Sequence, residues 1–265
     1  MSELIIVRGG GDIASGVIQK LHRSGFKVLV LETEKPSFIR RAVCYGEAIY
    51  EKEVILEGSK ALLAHNIDEV NKILDVGNIA VIIDPCGDTI RKLKPLAVID
   101  AILAKKNLGT NINMAPITIG IGPGFSAEKD VDIVIETMRG HDLGRLIFSG
   151  EAKKNTGIPG VINGYGIKRV IYSEVGGTIK NIKNIGDLVE NGEIIALINN
   201  TNIKSPLTGV LRGLIRDGYK VPKGFKIGDV DPRKDQQQNC HTISDKARNI
   251  GGSALEAVLY LRRKI

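Results

Sequence analysis

Short apolar runs alternate with amphipathic stretches along the first half of the chain. Residues 4–8, 27–31, 79–83, 117–121 and 131–135 are such runs, and each is followed by Gly, Asp or Glu. Residues 66–74 have the spacing of an amphipathic helix, with Asn66 as its N-cap. Alternating strands and helices with glycine-rich strand ends predict a mainly parallel sheet.

Around residue 175 the helical periodicity gives way to a glycine repeat. The three glycines of the first copy recur about 32 residues later, in the order Gly177, Gly186, Gly192 and then Gly209, Gly218, Gly224. Two copies of strand and turn predict a small β module that resembles lipoyl- and biotinyl-type barrel-sandwich hybrids. The segment between the copies, 199–202, contains no lysine, so a structural or partner-docking role is favoured over a covalent carrier.

Ser244 is the predicted N-cap of a last helix that runs to about Arg262. Gly251 and Gly252 inside this helix predict close packing against another element. The predicted fold class is therefore α/β. We expect a Rossmann-like, mainly parallel nucleotide-binding domain at 1–170, a barrel-sandwich-hybrid-like β module at 171–233, and a linker with a C-terminal helix at 234–265 that packs back on the core.

Composition narrows the classes of partner. The chain has 265 residues and a net charge of +7, which favours anionic partners such as nucleotides. Aromatic residues make up 4% of the chain, there is no Trp, and no dense basic helix occurs, so nucleic acid is disfavoured. The N-terminus lacks a signal-peptide layout and no apolar stretch is long enough for a bilayer, which predicts a cytoplasmic protein with no membrane partner. Three scattered cysteines suggest no disulfide framework and no zinc site.

A glycine-rich turn joins the first apolar run to the first predicted helix. Its pattern, G-x-G-x-x-A, is typical of a loop that brings phosphates to a helix N-terminus. Glu32, at the end of the second run, stands where a dinucleotide site has an acid that binds a ribose hydroxyl. The alternative is a purely structural turn, and Asp12 would repel a phosphate unless it caps the helix or holds a metal. The predicted cofactor-binding residues of this region are Gly9, Gly10, Gly11, Asp12, Ala14 and Glu32.

Three further loops carry groups that suit an anionic ligand. Arg40, after the second run, is able to clamp a phosphate, although a plain surface loop explains it equally well. Lys105 and Asn107 follow another apolar segment, and Gly122 and Gly124 lie at a glycine-rich strand end. Together with the first loop they predict one cleft for an anionic, nucleotide-type ligand.

The densest polar cluster spans 136–145, directly after the last apolar run. His141 is a candidate general acid or base, with Asp142 or Glu136 as its orienting carboxylate. Arg139 and Arg145 are candidates for binding a phosphate or carboxylate. The alternative is an ion-paired loop that stabilises a domain junction. No metal-ligand motif is present in the sequence.

The chain resembles the YqeB family of selenium-dependent molybdenum hydroxylase system proteins over almost its whole length. The most specific segment is 136–145. The matching segments are residues 8–16, 32 with 40–41, 100 with 104–110, 122–125, 136–145, 155–160, 209–214, 228–233 and 244–256. The N-terminal unit also resembles the Rossmann domain of XdhC/CoxI-type maturation factors. The resemblance implies an accessory or maturation role for a molybdenum hydroxylase client protein, and it implies no defined reaction.

Three hypotheses about function follow. The first is an accessory protein that binds a nucleotide or a molybdopterin dinucleotide, such as molybdopterin cytosine dinucleotide. The second is an NAD(P)-dependent oxidoreductase that uses His141 as its acid or base. The third is a non-catalytic scaffold. A homo-oligomer is left open by the sequence.

Overall fold

The computed structural model of the protein describes residues 3–157 and 160–264. The chain divides into two compact units, each discontinuous in sequence. Unit 1 comprises Met1–Pro36, Cys44–Asn155 and Ile243–Ile265, and unit 2 comprises Ser37–Val43 and Thr156–Thr242. Within the described residues, no helix is long and apolar enough to cross a membrane.

Unit 1 is built on a sheet of nine strands with helices around it. Its helices are α1 (Asp12–Arg23), α2 (Ala48–Glu51), α3 (Ile67–Asp75), α4 (Asp88–Leu93) and α5 (Asp245–Arg262). Its strands are β1 (Leu4–Arg8), β2 (Lys27–Glu32), β3 (Glu53–Leu56), β4 (Ser59–Ala64), β5 (Ile79–Ile83), β6 (Ala97–Asp100), β7 (Ile117–Ile121), β8 (Ser126–Ala127), β9 (Ile133–Ile135), β10 (Leu146–Ile147) and β11 (Gly150–Glu151). Strands β8 and β11 form a separate two-stranded sheet.

The order of the large sheet is β10-β9-β7-β6-β1-β2-β5-β4-β3. The seven inner strands pair in parallel, whereas β10 and β3 at the two edges run antiparallel to their neighbours. Strands β1, β6 and β7 are buried along their whole length, as continuous apolar runs in a covered parallel sheet should be. The strands predicted from the apolar runs are confirmed.

Two predicted helix starts are also confirmed. The Asn66 side chain accepts a hydrogen bond from the Glu69 N–H, which makes it the N-cap of α3. The Ser244 side chain accepts a hydrogen bond from the Ala247 N–H at the start of α5. In each case a short polar side chain satisfies one of the otherwise unpaired N–H groups of a first helical turn.

Unit 2 consists of two antiparallel sheets of four strands. Its strands are β12 (Val170–Tyr172), β13 (Gly177–Asn181), β14 (Leu188–Val189), β15 (Ile194–Ile198), β16 (Thr201–Lys204), β17 (Gly209–Leu214), β18 (Lys220–Val221) and β19 (Lys226–Asp231). The sheet orders are β12-β19-β17-β14 and β16-β15-β13-β18. Apolar residues from both sheets form one core, which includes Ile179, Ile195, Leu211 and Ile227. The short strand of each repeat copy pairs with a strand of the other copy, β14 with β17 and β18 with β13.

The predicted fold class was wrong. The sheet of unit 1 is mixed, because both of its outermost pairs are antiparallel, and the rest of the strands form several small antiparallel sheets. A Rossmann-like domain also needs a helix in its crossovers, yet the fully described connections 101–116 and 122–132 contain none. Their Asn, Gly and Pro residues favour turns over helix. The predicted barrel-sandwich module is replaced by two separate four-stranded sheets.

Candidate functional site

The carboxyl ends of the parallel strands of unit 1 meet at one edge of the sheet. Strands β5, β2, β1, β6, β7 and β9 all run in the same direction, so the connections that follow them lie along that edge. In open α/β sheets this is where ligands bind. The predicted site residues are located at this edge, except for Arg40.

The glycine turn after β1 is tightly packed. The N–H of Gly9 donates to the carbonyl of Leu31 (2.8 Å). A Cβ atom added at Gly9 would lie 3.0 Å from the carbonyl oxygen of Ala101, and one added at Gly10 would lie 2.7 Å from the Cα of Gly46. These contacts require glycine at both positions, because neighbouring backbone fills the space of a side chain.

The N-terminal turn of α1 begins at the end of this loop. Gly11 is the N-cap, and no side-chain hydrogen bond caps the helix there. Asp12 is the first helical residue, so it does not act as the cap. Ala14 is buried in the helix. The first-turn N–H groups of α1 are therefore the part of the loop that suits an anion.

Glu32 has both carboxylate oxygens on backbone donors. Oε1 accepts from the N–H of Gly10 (2.6 Å), and Oε2 accepts from the N–H of Thr33 (2.9 Å). Burial raises the pKa of Glu32 above its ordinary value more than these two bonds lower it. Glu32 thus secures the glycine loop, and the predicted ribose contact stays a prediction that would have to compete with these bonds.

Arg8, at the end of β1, holds the neighbouring connections in place. Its side chain is 4% exposed, and its guanidinium donates to Thr110 Oγ1 and lies 3.5 Å from Asp100 Oδ2. It also donates to the carbonyls of Pro85 and Leu108, each at 3.3 Å. Thr110 Oγ1 donates in turn to Asp100 (2.6 Å), and burial raises the pKa of Asp100. Sequence analysis assigned no role to Arg8, whereas in the structure it joins the segments that follow β5 and β6.

The connection after β6 is shaped by Asn107. Its amide nitrogen donates to the carbonyl of Thr110 (2.7 Å), and its Oδ1 accepts from the N–H of Thr110 (2.8 Å). Lys105, nearby, is exposed and has a positive φ of 63°. The predicted ligand-binding role of both residues stays a prediction, because Asn107 already holds its own turn.

The two glycines after β7 contact the neighbouring connections. A Cβ atom at Gly124 would lie 2.8 Å from the Cα of Lys106, and one at Gly122 would lie 2.8 Å from Thr137 Oγ1. The Gly122 N–H donates to the carbonyl of Ile135 (2.8 Å). The segments after β6, β7 and β9 are thus in direct contact, as the predicted single cleft requires.

Most charged groups in the 136–145 segment are paired. Glu136 is 2% exposed, and its oxygens accept from the N–H groups of Met138 and Lys153, both at 2.8 Å. Asp142 accepts from Lys153 Nζ (2.5 Å) and pairs with Arg145 (3.0 Å). The Lys153 hydrogen bond is the largest cause that lowers the pKa of Asp142.

His141 is exposed, in the same segment. Arg139 instead binds a residue of α5, donating to both carboxylate oxygens of Asp245 at 2.9 and 3.0 Å, and this bond raises the pKa of Arg139. The catalytic roles of His141 and Glu136 stay predictions. Glu136 is occupied by backbone donors, so it does not serve His141 in this arrangement.

Arg40 belongs to unit 2. It is 7% exposed, and its guanidinium donates to the carbonyls of Asn239 (3.1 Å) and Thr242 (3.3 Å). The structure therefore gives Arg40 a structural role within unit 2. Of the family segment 155–160, residues 158 and 159 lie outside the described part of the chain.

Helices α1 and α5 pack side by side in parallel. A Cβ atom at Gly16 would lie 2.2 Å from the carbonyl oxygen of Ala247, and one at Gly251 would lie 2.3 Å from the carbonyl oxygen of Gly16 and 3.0 Å from Lys20. Contacts that advance along both helices in the same direction place their N-termini next to each other. The first turn of α5 is thereby brought to the glycine turn.

Lys246, in this first turn of α5, was missed by sequence reasoning. Its side chain is half-buried, and burial lowers its pKa, with Arg139 adding to this effect. The charges of Asp12, Glu136 and Asp245 act in the opposite direction. The only signal in the sequence was that residue 246 falls within the family segment 244–256.

Known structures resemble the chain weakly. The product-bound ectoine utilization protein EutE (DoeB) of Ruegeria pomeroyi has a TM-score of 0.24 and 11% identity, covering 87% of this chain and 58% of that one. An aspartoacylase family protein of Mesorhizobium loti has a TM-score of 0.28 and 10% identity, covering 88% and 85% of the two chains. Scores this low carry no argument about fold or function.

A sequence relative is far more similar. No family model matches the chain. The uncharacterized protein YqeB of Escherichia coli (strain K12) is 50% identical over 259 residues, which cover 98% of this chain. The chain spans about half the length of that relative, 48%. The chain is therefore similar to YqeB over nearly all of its own length.

Proposed function

We propose that this protein is an accessory factor of a selenium-dependent molybdenum hydroxylase system, and that it binds a nucleotide or a dinucleotide form of molybdopterin in unit 1. The ligand would lie at the carboxyl edge of the sheet, with its phosphates on the first turn of α1. The hydroxylase is the client protein that this role requires. The link to molybdenum rests on the family resemblance.

One observation carries the binding part of the proposal. The connections after β1, β6, β7 and β9 touch one another through glycines beside a helix N-terminus that has no side-chain cap. Such a turn offers N–H groups and the positive end of the helix dipole to an anion. The side chains of Arg8, Glu32 and Asp100 hold this backbone in place, so the edge is organised before a ligand arrives.

A thermal-shift screen tests the proposal. The ligands are molybdopterin cytosine dinucleotide, CTP, ATP, NAD and NADP. A ligand at 100 times its Kd stabilises the folded state by about 2.7 kcal/mol, which raises the melting temperature measurably. We expect a shift with the molybdopterin dinucleotide, and we expect Gly11→Val to remove it.

Three outcomes of the screen would contradict this expectation. No shift with any of the ligands would exclude the proposed binding function. A shift with NAD or NADP alone would favour the oxidoreductase hypothesis. An unchanged shift in a folded Gly11→Val variant would move the ligand away from the glycine turn.

A further inference from the structure

The cations beside the glycine turn differ in how far they are already paired. Arg139 is bound by both oxygens of Asp245, and Arg145 and Lys153 are bound by Asp142. The guanidinium of Arg8 is buried among its own acceptors. These four groups would have to give up existing bonds before they could bind an anion.

Lys246 differs from these four groups. Within residues 3–157 and 160–264, its amine makes no hydrogen bond and no ion pair. The side chain is nevertheless half-buried. An ammonium group that loses water without gaining a partner is destabilising, and an arriving anion would offset that cost.

The packing of the helices brings Lys246 near the first turn of α1. Ala247, the residue after Lys246, is in backbone contact with Gly16 of α1. Asp12 lies one turn before Gly16 and is among the charges that act on Lys246. The charged groups that act on the amine are Asp12 from α1, Glu136 and Arg139 from the segment after β9, and Asp245 from α5.

The acidic side chains near Lys246 do not replace an anionic ligand as the partner of its amine. Asp245 is occupied by Arg139, and Glu136 has both oxygens on backbone N–H groups. Asp12 is a third acid whose charge acts on the amine, at the position that made a phosphate seem unfavourable from sequence. A cation that balances Asp12 allows phosphate oxygens to approach the first turn of α1.

We infer that the Lys246 amine is the side-chain group that binds the phosphate of a phosphate-bearing ligand at this edge. The inference rests on the proposed function, since it assigns a residue to the same binding site. It also separates Lys246 from Arg139 and Arg145, which hold the loops rather than the ligand.

Calorimetric titration with inorganic pyrophosphate tests the inference. We expect Lys246→Gln to weaken Kd by roughly 10- to 100-fold, the range for the loss of a charged hydrogen bond. Lys246→Arg should keep most of the affinity. Lys72→Gln, which removes the same charge from an exposed position of α3, is the matched control and should change Kd less than twofold.

Equal affinity of the wild type and a folded Lys246→Gln variant would overturn the inference, as would the absence of pyrophosphate binding by the wild type.

Reductive methylation followed by peptide mass spectrometry adds a readout on the wild-type protein. Pyrophosphate should slow the labelling of Lys246 and leave that of Lys72 unchanged; an unchanged Lys246 rate at saturating pyrophosphate would overturn the inference. The nucleotide screen decides the proposed function separately. If nucleotides bind the Lys246→Gln variant as well as the wild type, the function stands and the inference fails. If only pyrophosphate binds, and does so through Lys246, the inference stands and the proposed function fails.

Discussion

The strand-end acids of unit 1 and the buried Asp229 of unit 2 differ in their main partners. In unit 1, Glu32, Asp84, Asp100 and Glu136 stand at or directly after the ends of parallel strands, and each accepts hydrogen bonds from backbone N–H groups of a connection. In unit 2, Asp229 is paired instead with arginine side chains. The first arrangement shapes loops, whereas the second satisfies charges inside a β structure. A strand-end acid therefore need not be a ligand contact.

Glycines show a second contrast between the units. Gly16 and Gly251 of unit 1 lie where two helix backbones touch. The repeat glycines Gly192 and Gly218 of unit 2 have φ values of 85° and 74°, with nothing within 4 Å of an added Cβ. Glycine is needed for close approach in the first case and for a left-handed turn in the second. A glycine in the sequence can therefore have either of two structural reasons.

The largest effect should come from Asp229→Ala in unit 2. Its carboxylate is 2% exposed and lies between Arg169 and Arg212. Removing one partner of a buried ion pair leaves uncompensated charge, so we expect a loss of about 3–5 kcal/mol in the free energy of unfolding. Urea denaturation measures it. Glu53→Ala, which breaks an exposed pair with Lys60, should cost less than about 1 kcal/mol. Equal losses in the two variants would contradict the assignment of Asp229 as a buried charge centre.

Adjacent glycines of α5 provide a matched pair for the second contrast. Gly251→Ala would place a Cβ atom 2.3 Å from the carbonyl oxygen of Gly16, and we expect a loss of about 1–3 kcal/mol. Gly252→Ala meets nothing within 4 Å and should stabilise the helix by about 0.5–1 kcal/mol. The two variants should therefore shift the melting temperature in opposite directions. A shift in the same direction would mean that α1 and α5 do not pack as closely as described.

The smallest expected effect is on the pH dependence of stability. It distinguishes two strand-end acids of unit 1, Glu32 and Asp84. Burial raises the pKa of Glu32 above 4.5, so its contribution to stability is present below pH 4.5 and is lost as pH rises through the folded-state value. Burial also raises the pKa of Asp84, but hydrogen bonds from Thr89, Asp88 and Gly87 outweigh burial and hold the pKa below 3.8. The contribution of Asp84 is therefore present above pH 3.8 and is lost as pH falls through its folded-state value.

Urea denaturation across this pH range tests the two signs. Relative to Glu32→Gln, the wild type should lose stability as pH rises. Relative to Asp84→Asn, the wild type should lose stability as pH falls. Parallel slopes for the two variants would show that these carboxylates do not have opposite roles.

Local features of the fold were predictable from the sequence. Apolar runs marked β1, β2, β5 and β7, because strands buried on both faces need continuous apolar residues. Ser244 marked the start of α5 through a bond to the nearby Ala247 N–H. The fold class was not predictable in this way. Edge-strand direction and helix-free crossovers depend on pairings between residues far apart in the chain.

Some features of the candidate site were likewise predictable from the sequence, and others were not. The sequence identified Glu32, Asn107 and Glu136 as polar groups at strand ends, but their bonds to backbone N–H groups appear only in the folded chain. No sequence pattern around Lys246 indicated a binding role. It becomes a candidate because α5 packs in parallel on α1 and brings residues more than 200 positions apart to the same turn.

By itself the sequence determined the strands marked by the five apolar runs, where two helices start, and that a glycine turn precedes α1. These features depend on side-chain burial and on hydrogen bonds within a few residues. The tertiary structure decided the order and direction of the strands, the structural role of Arg8 and Arg40, and the place of Lys246 beside α1. Those features follow from long-range packing, because the burial and the charge pairing of a residue depend on which distant residues become its neighbours in the fold.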